Sequence, residues 1–127
     1  LDFSPAMHEL AKARLGKLTE RAEFVERSFK EPGWTRGLGN FDCIVTNQAV
    51  HELRHKCHAA DLHRAARSLL SPSGIYLVCD HFAGEGGMTN DQLYMSIEEQ
   101  RLALHAGGFA SIKQLLVKGG LVLHQAS

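Results

Sequence analysis

The order of apolar runs and helical periodicities predicts an α/β fold in which a mostly parallel sheet is closed by an antiparallel hairpin at the carboxyl end. Three observations carry this expectation. Phe41-Asp42-Cys43-Ile44-Val45-Thr46 and Ile75-Tyr76-Leu77-Val78-Cys79 are short, nearly continuous apolar runs rich in β-branched residues, the pattern of parallel strands covered on both faces. Between them Ala59, Leu62, Ala66 and Leu69 recur at helical spacing, as a crossover helix requires. At the end, two apolar runs flank Lys118-Gly119-Gly120, a hairpin signal.

The other elements follow from local chemistry. Ser4-Pro5 supplies an N-cap followed by proline at the first helical position, so a helix is predicted from Pro5 to about Leu15, with Met7, Leu10, Ala11 and Leu15 on one face and Gly16 as its stop. Glu23 to Phe29 reads as a short strand, and Pro32, Gly33, Gly37, Gly39 and Asn40 then mark a loop. The crossover helix is expected over Ala59–Leu70, with Ser71-Pro72-Ser73-Gly74 as a break. After the Ile75 strand, Gly84, Gly86 and Gly87 mark a turn-rich loop. A third helix is predicted from Asp91 to about Ala106, capped by Thr89 or Asn90, and the closing strands span Phe109–Val117 and Leu121–Gln125.

Composition bounds the function. A chain of 127 residues that is 44% hydrophobic predicts one domain, residues 1–127. Fourteen basic and fourteen acidic side chains cancel, which disfavours nucleic-acid and anionic-membrane partners. Three cysteines without a CxxC pair do not resemble a disulfide scaffold. Cys43 and Cys79, inside apolar runs, are expected to be small buried hydrophobes, and a reducing, cytoplasmic setting is expected. No run approaches the ~20 apolar residues of a membrane helix.

In open parallel sheets ligands bind beyond the carboxyl ends of the strands. Four such ends are legible: Asp2, Ser28-Phe29, Asn47 to His51, and Asp80-His81, and these are expected to converge on one rim. Here the sequence resembles the class I S-adenosylmethionine-dependent methyltransferases of the small-molecule type. The matching phrases are Leu1-Asp2-Phe3-Ser4-Pro5-Ala6-Met7, Phe41-Asp42-Cys43-Ile44-Val45-Thr46-Asn47 and Leu69-Leu70-Ser71-Pro72-Ser73-Gly74-Ile75-Tyr76-Leu77. The resemblance implies a Rossmann-like domain taken up from the end of its second strand, N-terminally truncated in that it is without the first strand and the glycine-rich turn. No GxGxG occurs in the chain, and Gly84-Glu85-Gly86-Gly87 follows the wrong strand to replace it.

The resemblance further implies a site. Asp2 matches the acidic residue that accepts both ribose hydroxyls of S-adenosylmethionine, and Phe3 would lie against the adenine. Ser28 stands where the family often presents an aspartate to the adenine amino group, with Phe29 beside it. Asn47, Gln48 and Ala49 would flank the methionine part of the cofactor and the methyl acceptor, whereas Asp42 is expected to be structural. His81 is the first candidate general base and His51 the second, since an unperturbed imidazole titrates near neutrality. A small-molecule acceptor is expected: Asn47-Gln48-Ala49-Val50 lacks the Asn-Pro-Pro-aromatic signature of base methylation. The loop Ala83–Asn90 and the helix after it would border its pocket.

Two other readings compete. His51-Glu52-Leu53-Arg54-His55 matches HExxH, which on a helix would bind zinc through both imidazoles with Glu52 as base. His58, His63, Glu85 or Glu98 would then be the third ligand. The more economical reading of His55, Cys57, His58 and His63 is a solvated helix face and of the site no metal at all. The third reading is a non-catalytic remnant or interaction module. Without the family's first strand, the flank of the Phe41 strand is expected to be an open edge, prone to homo-oligomerisation.

Overall fold

A computed structural model describes residues 1–127, which divide into two compact units, Leu1–Arg36 and Gly37–Ser127.

In the first unit, helix α1 spans Pro5–Leu15, the expected range. Ser4 Oγ accepts from the Met7 N–H at 3.4 Å, and Gly16 caps the far end at φ 52°, a conformation open to glycine at little cost. A 3₁₀ turn, Gly16–Arg21, follows. The residue α1 buries is His8, whose Nε2 is 2.9 Å from the Asp2 carbonyl oxygen and whose ring meets Phe24 edge-on. Met7 and Leu10, expected on a covered face, are about half exposed. The expected strand over Glu23–Phe29 reduces to one bridge, Asp2 with Glu26. Ser28 ends it: its Oγ accepts from the Lys30 N–H and its carbonyl from the Glu31 N–H, which turns the chain.

The second unit is a four-stranded sheet with helices α2 (Ala59–Ser68) and α3 (Ile97–Ala106). Strands β1 (Phe41–Asn47), β2 (Leu70–His81), β3 (Ile112–Lys118) and β4 (Leu121–Ala126) lie in the order β1-β2-β4-β3. The α/β class and the closing hairpin stand as expected. The parallel share is the single β1–β2 pair, and β4 pairs antiparallel with both β2 and β3. Gly119 and Gly120 turn the hairpin at φ 58° and 76°, both positive as a type I′ turn requires.

Strand β2 is central, and its buried residues alternate through Gly74, Tyr76, Val78 and Asp80. It runs straight through the expected break at Ser71–Gly74, with an irregularity opposite: Phe41 pairs with Leu70 but Cys43 with Ile75. A Cβ at Gly74 would stand 2.9 Å from the Phe41 carbonyl oxygen, so this close strand approach requires glycine. Strand β1 forms the sheet's outer edge, the open flank expected of the Phe41 strand, but it departs from the expectation of cover on both faces. Val45 is 64% exposed, and Cys43, expected inside, is exposed too.

Helix α2 presents Ala59, Leu62, His63 and Ala66 to the core, so His63 belongs to the interior and not to a solvated histidine face. Tyr76 and Phe109 stack at 5.5 Å in the centre. Helix α3 starts at Ile97, six residues after the expected Asp91, because the real cap is Ser96: its side chain and Glu99 form a capping box. Asn90 instead closes a separate turn, accepting from the Gln92 and Leu93 N–H groups. No helix is long and apolar enough to cross a membrane.

Candidate active site

Parallel pairing places Asn47 beside Cys79, so the chain leaving β1 passes the end of β2. Gln48, at φ 51°, donates its N–H to the Cys79 carbonyl at 2.7 Å. This turn delivers Val50–Leu53 as a short 3₁₀ helix anchored by buried Val50. Asp80 follows the buried alternation of β2, so its carboxylate points at that helix.

Asp80 is 3% exposed and accepts three hydrogen bonds, which offset the cost of removing a carboxylate from water. Oδ2 takes the His51 backbone N–H at 3.0 Å. Oδ1 takes the His81 backbone N–H at 2.7 Å and lies 2.6 Å from His51 Nδ1. A carboxylate is acceptor-only, so Nδ1 carries the proton and Nε2 is left with its lone pair. The arrangement is a buried carboxylate holding an imidazole that can take a proton.

His81 has no such partner: its Nδ1 is buried without a hydrogen bond. Its ring meets His51 at 5.6 Å and Tyr94 at 5.9 Å, and Gln100 Nε2 donates to its carbonyl. These groups, with Lys56, line a shallow open cleft. Lys56 is bound to Glu99 at 2.7 Å, and that charge-assisted pairing holds the Glu99 carboxyl below its ordinary value. Burial, then the Asp80 charge, pushes the Cys79 thiol up, which disfavours a thiolate nucleophile here.

The HExxH reading fails on geometry. The 3₁₀ turn ends at Leu53, Arg54 takes φ 66° and His55 is extended, so the α-helical turn that would stack His51 and His55 on one ion does not form. His55 Nδ1 instead accepts from the Cys57 N–H, and no three metal-ligating side chains cluster.

The remaining expected residues divide between the units. Asn47 ends β1, and Gln48 and Ala49 carry the chain into the short helix that holds His51. Asp2, Phe3, Ser28 and Phe29 belong to the first unit, where Asp2 Oδ1 accepts from the Ser4 N–H at 2.8 Å and Phe3 is 58% exposed. Sequence reasoning missed the bond between Asp80 and His51, and also Lys56, Tyr94 and Gln100. The signal for Asp80 was its parity: it shares the face of Tyr76 and Val78.

By sequence the chain matches no protein-family model and no curated protein. By structure it superposes on an O-methyltransferase family protein from Burkholderia thailandensis with a TM-score of 0.79 at 17% identity, over 98% of this chain and 41% of that one. The fold is that of the carboxyl-terminal part of the small-molecule O-methyltransferases. Similar to it as well are the mitomycin 7-O-methyltransferase (TM-score 0.73, 15% identity, 99% of this chain and 40% of that one) and the S-adenosylmethionine-dependent methyltransferase SibL (TM-score 0.72, 14% identity, 100% and 42%). The chain thus spans about two-fifths of the length of these methyltransferases.

Proposed function

We propose that the chain belongs to a methyltransferase acting on a hydroxyl of a small molecule, with S-adenosylmethionine as donor and His51 as general base. The observation that carries this reading is the Asp80–His51 pair at the carboxyl ends of the parallel strands of a methyltransferase fold. The residues present fit the nucleoside end of the cofactor. Asp2 has an oxygen beyond the one bound to Ser4 for the ribose hydroxyls, and the exposed Phe3 ring offers a face to the base. Ser28 Oγ accepts from the Lys30 N–H and keeps a second lone pair for the adenine amino group. No glycine-rich turn in this chain serves the methionine end.

When bound, the cofactor supplies an electrophilic methyl group on a positively charged sulfur. His51 Nε2 would take the proton of the acceptor hydroxyl, whose oxygen is the nucleophile. Asp80 keeps the ring in the productive tautomer and stabilises the imidazolium formed. Tyr94, Val50 and Leu93 supply the apolar wall of the cleft. Near-neutral overall charge supports a small acceptor over nucleic acid or a membrane.

The test is calorimetric binding of S-adenosylhomocysteine together with transfer of a labelled methyl group to a panel of small hydroxyl compounds. Asp2→Ala is expected to weaken cofactor binding. His51→Ala is expected to leave binding unchanged and to slow transfer by about 10²–10⁴-fold. Absence of both binding and transfer would reject the assignment in favour of a non-catalytic module.

A further inference from the structure

Strand β3 closes the sheet on the side away from β1, and its outer flank pairs with nothing. Leu115, Leu116 and Val117 are 49%, 55% and 42% exposed on it, beside the unpaired N–H and C=O groups with which any open edge invites another strand. Charge says which strand. Lys113 and Lys118 bracket the apolar residues, and the ion pairs that the chain's lysines and arginines make involve neither of them.

The register puts the two lysines on one face. Lys113 stands beside Gln125, Leu116 beside Leu123 and Lys118 beside Leu121, three alternate positions of β4. In a regular strand the odd separation of Lys113 and Lys118 would send them to opposite faces. The irregularity between Gln114 and Leu116 takes up the extra residue and restores the parity. The edge thus offers a cation, an apolar side chain and a second cation in line, and neither β3 nor β4 contains a carboxylate to neutralise them.

The β3 of a second copy brings the same positive charge to this edge, and its β1 offers a single carboxylate, Asp42, so neither complements the pair of lysines. We propose that the outer edge of β3 docks an extended segment of another protein as a fifth strand, one that carries two carboxylates on the same face with an apolar residue midway between them. Backbone hydrogen bonds to the open edge supply the affinity, and the two lysines select the sequence. The edge shares no residue with the cleft around His51.

The probe is a blocked nonapeptide with Glu-Val-Leu-Val-Glu at its centre, titrated into the ¹⁵N-labelled chain and followed by NMR. Its controls carry Gln for both Glu, Lys for both Glu, or Pro for the central Leu. Amide shifts are expected along Ile112–Lys118, and the Glu peptide should bind about tenfold more tightly than the Gln peptide, the effect of two opposite-charge cross-strand pairs. That ratio should fall towards one in about 1 M salt. Lys113→Glu combined with Lys118→Glu, both exposed positions, is expected to leave the rest of the spectrum in place and to invert the preference towards the Lys peptide. Shifts centred elsewhere, equal binding of the Glu and Gln peptides, a Pro peptide as tight as its parent, or no inversion in the double variant would overturn the proposal. Shifts of the β3 amides on diluting the chain without peptide would give the edge to a second copy and overturn it as well.

Discussion

A carboxylate that is almost wholly buried and accepts three N–H groups fixes its partners, since each bond lost leaves a charge without solvent. That argument ranks the histidines, and Asp80→Asn tests it. An asparagine amide can donate to Nδ1, which moves the ring proton to Nε2 and removes the lone pair that takes the acceptor's proton. Methyl transfer is expected to fall by about 10³-fold with little change in the acceptor's KM, and a larger effect from His81→Ala would refute the ranking. A second residue-scale prediction concerns His63. Desolvation first, then the charge of nearby His124, lowers its pKa to about 4, and burial lowers that of His124 as well. Between its ordinary value of 6.5 and about 4 the unfolded chain holds more protons than the folded one, so stability is complete above that window and falls as pH drops through it. Urea unfolding followed by circular dichroism should show a loss of about 2 kcal/mol between pH 7 and pH 5, before the paired glutamates begin to titrate. His63→Leu should shrink that loss, and a variant with the parent's pH slope would exclude the mechanism. The two histidines illustrate what was legible: His51 stood out by its place after an apolar run, but its partner lay 29 residues away, and only the strand register joins them.

At the scale of elements, sequence signals held wherever one local rule acted alone. Ser4-Pro5 and Gly16 bound α1 at its expected ends, and Gly119-Gly120 turned the expected hairpin. They failed where two signals competed: Asn90 caps a turn as well as it would cap a helix, so the capping box at Ser96 was passed over. Ser71-Pro72-Ser73-Gly74 reads as a break, yet pairing with β1 carries the strand through it, because neighbouring strands outweigh local propensity. Close packing of elements was not legible at all. Gly107, at the end of α3, has an ordinary φ of −71°, but a Cβ there would stand 2.6 Å from His63 Cβ on α2. Gly107→Ala is therefore expected to destabilise by about 1–3 kcal/mol through overpacking, whereas in an unconstrained helix end the same change would be nearly neutral. A urea midpoint equal to the parent's would show that α2 and α3 yield to the methyl group.

The sheet as a whole ends in two unlike edges. At β3, exposed Leu115, Leu116 and Val117 sit between Lys113 and Lys118, and lysines on an edge strand are a recognised guard against association. At β1 there is no such guard. Phe41, Cys43 and Val45 are exposed, the strand pairs with β2 alone, and its one charge is Asp42. If two copies pair antiparallel about Ile44, Asp42 faces Thr46 and Cys43 faces Val45, so no like charges meet and the apolar residues of the edge become shared. We therefore predict that the 127-residue chain self-associates through β1, with a sedimentation coefficient that rises with concentration. Val45→Lys would place two lysines beside the symmetry axis and is expected to return the chain to the monomer without loss of fold, since the native side chain is 64% exposed. Lys113→Leu, at the guarded edge, should create a second contact and drive larger species. A parent that stays monomeric at all concentrations, or association that Val45→Lys leaves intact, would show that the β1 edge is not where copies meet.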